Sequence, residues 1–161
     1  MFCAVLGACY NKIITTEILA MTSEYMQRTF LGFAHSGWRW IVIVTAVIAF
    51  AWALARLLGR PDNPRLTRLS MLAFTIGMDM QVLFGILHFI ERLSQNAVYD
   101  GLWIHLALGL VALGILHPLT VRARRQAPKA QARTQLLAVM ASFALVFFGV
   151  AALIGGLPRW F

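Results

Sequence analysis

The sequence predicts an all-α protein, a transmembrane four-helix bundle. Three observations carry that prediction. First, the 161 residues are 60% hydrophobic and only 12% charged, with a mean hydropathy of +0.75. Soluble domains run at about 45–50% apolar and about 25% charged, so this chain is built for lipid. Second, four segments, residues 33–57, 69–91, 102–121 and 135–157, reach the length of about 20 mainly apolar residues that a bilayer-crossing helix needs. Third, helix-breaking or polar residues punctuate the gaps between them. The composition excludes a soluble enzyme, a secreted disulfide scaffold and a nucleic-acid-binding module.

Residues 1–28 precede the bundle domain, residues 29–161, as an extension less apolar than a span. Ile13, Ile14, Ile18, Met21 and Tyr25 recur there at helical spacing among Lys12, Glu17 and Glu24, the pattern of an amphipathic helix lying at a membrane interface. Cys3 and Cys9, the two cysteines, are too few for a zinc site or a disulfide framework. The first span is rich in Trp, Ile, Val and Ala and ends at Gly59, Pro61 and Pro64, because proline neither donates to nor continues a helix. Gln95-Asn96 and Asp100-Gly101 mark the second connection. Pro118 is expected to kink the end of the third span, and Pro158 closes the fourth.

Charge sets the orientation. Twelve of the fourteen cations are arginine, and nine of the fourteen fall in two connections: Arg56, Arg60, Arg65 and Arg68, then Arg122, Arg124, Arg125, Lys129 and Arg133. The connection over 91–101 carries Glu91, Arg92 and Asp100 instead. Cytoplasmic loops gather Lys and Arg, so both termini are expected on the outer, periplasmic side of a bacterial inner membrane. Trp38, Trp40, Trp103 and Trp160 fall near that outer boundary, as an aromatic belt would. The formal charge of +8 therefore describes orientation and contact with anionic phospholipid.

Few polar residues lie inside the spans. His35 opens the first, His88 ends the second and His105 opens the third; since successive helices alternate in direction, all three come to the outer half of the membrane. His117 lies toward the opposite side. Two histidines from different helices at one depth are the minimum for axial ligation of a b-type heme in a bundle core. Gly77, Gln81, Gly85 and His88 share a face of the second span, and His105, Gly109 and Ala112 share a face of the third. Such small-residue stripes equally suit close helix packing, with His or Gln hydrogen-bonding across. Arg39, one turn after His35, is placed to hold a heme propionate or a quinone oxygen.

Asp79 is the conspicuous anomaly: an ionised carboxylate at mid-membrane costs about 3 kcal/mol on insertion scales. No Lys or Arg stands at its depth, so Thr45 and Thr75 are the expected hydroxyl neighbours. A packing hydrogen bond, a proton relay or a quinone contact are the roles open to it. The fourth span offers Ser142 and a smooth Gly149, Ala152, Gly156 stripe, which reads as a packing surface.

The run His35-Ser36-Gly37-Trp38-Arg39-Trp40 resembles the HSGxRW opening of small bacterial four-helix membrane proteins that are loosely labelled cytochrome-b-like. Gln81 with Gly85 four residues later, and His105 at the head of the third span, extend the resemblance over residues 30–157. Those proteins often have His where this chain has Asp79, and Glu where it has Ile104.

These residues form no nucleophile–base pair, phosphate loop or metal cluster, and four spans without repeats do not suggest a transporter. The expected function is that of a non-catalytic accessory subunit of a respiratory or photosynthetic electron-transfer complex, without a cofactor of its own. It would pack against other integral membrane subunits and border quinone or lipid. The alternative is a small b-type cytochrome holding one outer-side heme through two of His35, His88 and His105.

Overall fold

The computed structural model describes residues 30–60 and 63–153. The amphipathic extension, both cysteines, Pro158 and Trp160 lie outside the described residues. The described chain forms four helices, α1 (Phe30–Leu57), α2 (Pro64–Ser94), α3 (Asp100–Ala123) and α4 (Pro128–Leu153). All four are long and apolar enough to cross a membrane. Helices of 24 to 31 residues extend about 36–46 Å at 1.5 Å per residue, beyond a hydrocarbon core of about 30 Å.

The helices are longer than their apolar stretches because local caps extend them. Pro64 occupies the first turn of α2, where its missing N–H costs nothing. The Asn63 side chain accepts from the backbone N–H groups of Arg65 and Leu66 at 3.0 and 3.4 Å, which satisfies two donors that the helix start leaves unpaired. Arg65 and Arg68 are thereby helical, not loop residues, as are Lys129 and Arg133 in α4. Gly59 ends α1 at φ +72°, a left-handed turn that glycine adopts without a Cβ penalty. The Arg60 N–H then returns to the Ala55 carbonyl at 3.0 Å. Asn96, at φ 54°, makes the equivalent turn after α2. Pro118 does not end α3, which continues to Ala123.

Each helix packs on its sequence neighbours, and α4 closes the ring against α1; α1–α2 and α3–α4 are the most extensive contacts, α2–α3 the least. Helices α1 and α3 are therefore diagonal partners, as are α2 and α4. Ala46, Ala49 and Ala53 on α1 and Ala112, Ala132 and Ala138 elsewhere are all buried, and so are Phe74, Met78 and Leu116. Small residues let the backbones approach, and the three large ones fill the remaining space. The bulky aliphatics Val47, Ile76, Leu83, Leu137 and Met140 point outward. In a lipid solvent this arrangement incurs no hydrophobic penalty. Trp38 is part of the interior and not the belt: its Nε1–H donates to the Gly77 carbonyl at 3.0 Å. Trp40 and Trp103 are exposed, as a belt requires.

Candidate functional site: a histidine cavity between diagonal helices

A cavity of about 300 Å³ opens at the end of the bundle where α1 and α3 begin and α2 ends. It lies at the lower end of the range of about 300–1,000 Å³ for small-molecule pockets. His35, His88 and His105 all line it, together with Gln81, Gly85 and Arg92. Alternating helix direction thus gathers three residues spread over 70 positions of sequence, as their placement on the spans predicts.

His35 and His105 form the closest pair. They project from the diagonal helices α1 and α3, with ring centroids 6.0 Å apart and planes at 86°. His35 is oriented by α2. Its Nδ1 lies 3.1 Å from the Gln81 backbone oxygen, and since a carbonyl only accepts, Nδ1 carries the proton and Nε2 keeps its lone pair. The Gln81 side-chain amide donates to the His35 carbonyl at 3.1 Å, while its nitrogen lies 3.3 and 3.4 Å from the two ring nitrogens. The Gln81 Oε1 is buried without a partner among the described residues, and so is His105 Nδ1. A buried polar atom without a partner is costly in an apolar interior, so Gln81 Oε1 favours a polar group in the cavity.

The other diagonal explains how the rings fit. A Cβ at Gly85 on α2 would stand 3.0 Å from His35 Cε1, and one at Gly149 on α4 would stand 3.0 Å from His105 Nδ1. Each histidine therefore rests against the bare backbone of a neighbouring helix. Gly149, read from sequence as part of an outward packing stripe, serves this site. Gly77 packs on Thr45 and Val42 of α1.

The third histidine is engaged differently. His88 Nδ1 sits 3.2 Å from Glu91 Oε2 one turn on. Arg92, one turn after His88, brings a cation to the lining; its i, i+4 spacing from His88 was a sequence signal for that position. Arg39 is exposed, with its guanidinium 5.4 Å from the Trp40 ring centre, and is not among the lining residues. Arg92 is the arginine that lines the cavity.

Asp79 lies outside the cavity and has a partner that its estimated depth did not indicate. His117 Nε2 meets Asp79 Oδ1 at 2.8 Å across the α2–α3 seam. Thr75 instead donates to the Met71 carbonyl and Thr45 to that of Ile41, both at 2.8 Å. Backbone height alone separates Asp79 and His117; side chains lean toward the N-terminus of their own helix, so on antiparallel α2 and α3 the two lean toward each other.

The His35–His105 separation can be compared with that of two imidazoles on one metal ion. A metal–imidazole bond of about 2 Å, with the nitrogen about 1 Å from its ring centre, puts axial imidazole centroids about 6 Å apart. His35 and His105 have that separation. A ligating histidine usually donates its second N–H to a carbonyl or carboxylate, as His35 does to Gln81. No family model, curated protein or solved structure matches the chain.

Proposed function

We propose that this chain is a small membrane cytochrome of the b type, with one heme held between His35 and His105 at the outer end of the bundle. The observation that carries this reading is the diagonal histidine pair, 6.0 Å between centroids, with Gly85 and Gly149 on the other diagonal. When bound, heme iron supplies one-electron transfer through its ferric and ferrous states. The protein's part is to fix the ligands and set their environment. The Gln81 carbonyl holds His35 in the tautomer that frees Nε2. Gln81 Oε1 and His105 Nδ1 supply buried polar atoms at the same cavity. Arg92 places a positive charge there, suited to a carboxylate at the membrane surface. His88, engaged by Glu91, supports the lining and is not assigned as a ligand.

The reading as a cofactor-free accessory subunit rests on the pair of small-residue stripes, an unpartnered Asp79 and an N-terminal extension that lies outside the described residues. Gly149 now serves His105, and Asp79 bonds His117 within the chain. Asp79 thus has a partner within the chain, and the histidine pair places the cytochrome reading first. Membership of a larger electron-transfer complex in a bacterial inner membrane is part of the proposal and fits a carrier with no catalytic groups.

A reduced-minus-oxidised spectrum of the purified full chain tests it. Wild type and His88→Ala should show an alpha band, and His35→Ala and His105→Ala should lack it. A protein purified from heme-replete cells without Soret absorption would sink the proposal.

A further inference from the structure

One polar feature faces outward from the bundle. Asp79 stands midway along α2, 15 residues from Pro64 and 15 from Ser94. The side chains of His117 and Asp79 remain 51% and 42% exposed although they bond each other. Ionisable groups within membrane spans almost always face a bundle interior or a water-filled cavity, so this pair is a surface that something covers.

Two further observations on the same face of α3 say what kind of cover. Gly114, one turn before His117, is exposed, and a Cβ built there meets nothing within 4 Å. Gly37 near the head of α1 is equally open, whereas Cβ atoms at the other mid-span glycines, Gly77, Gly85, Gly109 and Gly149, would all meet neighbours within the chain. A mid-helix glycine costs about 1 kcal/mol relative to alanine, and at Gly114 no contact inside the bundle requires one. Glycine on a membrane helix surface lets another helix backbone approach closely. Pro118, having no N–H, also removes the i→i−4 donor from the Gly114 carbonyl, and lipid offers no replacement.

We propose that the α2–α3 face around Asp79, His117 and Gly114 is the interface of a symmetric homodimer. The pair is complementary to its own copy. Asp79 uses Oδ1 and His117 uses Nε2 in their mutual contact, which leaves Oδ2 as an acceptor. A proton on His117 Nδ1 makes that nitrogen a donor, and no described residue engages it. A two-fold rotation offers each donor to the other copy's acceptor. Two copies inserted with the same orientation also match in depth automatically, so an axis along the membrane normal sets the two pairs level. This inference does not depend on whether heme is bound.

Disulfide cross-linking in native membranes, with Cys3 and Cys9 changed to serine, tests the face. Leu110→Cys and Val121→Cys lie on the Gly114–His117 face of α3 and should give dimers; Val47→Cys, 61% exposed on α1, should not. Counting subunits of the purified chain in bilayers tests the contacts. Gly114→Leu, Asp79→Asn and His117→Gln should each weaken dimerisation by about 3- to 20-fold, the span of measured interhelical hydrogen-bond strengths. The exchange Asp79→His with His117→Asp should restore it. Circular dichroism separates lost association from lost fold. A purified chain that stays monomeric, cross-links as efficient at Val47→Cys, cross-links at α3 only to a different polypeptide, or a folded Gly114→Leu that dimerises like wild type would each overturn the proposal.

Discussion

Gly149 and Gly85 set the two histidines by what they lack. Adding one methyl at Gly149 brings a carbon to 3.0 Å from His105 Nδ1, and the ring must move because helix backbone stands behind it. Gly149→Ala should cost about 1–3 kcal/mol, the usual range for overpacking, read as a lower unfolding midpoint in detergent. If heme is bound, the alpha band should weaken in the same variant. Trp38→Phe removes the Nε1–H that bonds the Gly77 carbonyl and should cost about 1 kcal/mol, with the heme spectrum unchanged. His35, Gln81 and His105 were legible from sequence, since a polar residue inside an apolar span stands out and alternating direction gives its rough height. Gly149 was not, because glycine on a span suits any close approach, inward or outward. The Asp79–His117 bond is not legible for a different reason: backbone height ignores the lean of each side chain toward its own helix N-terminus, which brings the two together on antiparallel helices.

At the scale of the element, the ends of the helices do work that hydropathy does not record. Asn63→Ala leaves the Arg65 and Leu66 N–H groups without their cap and should cost about 1 kcal/mol; Asn63→Gly should cost only a few tenths. Thermal unfolding of the two variants side by side checks the order. Across the same end of the bundle, Arg56 Nη1 donates to Gln131 Oε1 at 2.7 Å, tying the last turn of α1 to the first turn of α4. An arginine counted from sequence as a topology signal is therefore also an inter-helix tie. All four spans were readable because about 20 apolar residues admit few other structures. Their boundaries were not, because caps and surface arginines lengthen helices with residues that look like loop.

For the molecule as a whole, the basic connections predict a testable orientation. Single cysteines at Arg60 and Arg124 should react with an impermeant thiol reagent only after the inner face is opened, and one at Ala97 should react in intact cells. The reverse pattern would invert the bundle and move the histidine cavity to the cytoplasmic side. Two ties hold the head of α3 to the end of α4: Gly101 lies directly against the Ala152 carbonyl, and Tyr99, just before α3, donates to the Leu153 carbonyl at 3.4 Å. On the other side of the connection the Ala97 N–H returns to the Arg92 carbonyl of α2 at 2.9 Å. The helices thus divide into a leading hairpin, α1–α2, and a trailing one, α3–α4, each with its own extensive interface and joined by the weakest seam. Covalent continuity at that seam is then dispensable: two separately translated halves, divided after Ala97, should find each other in the bilayer and rebuild the cavity.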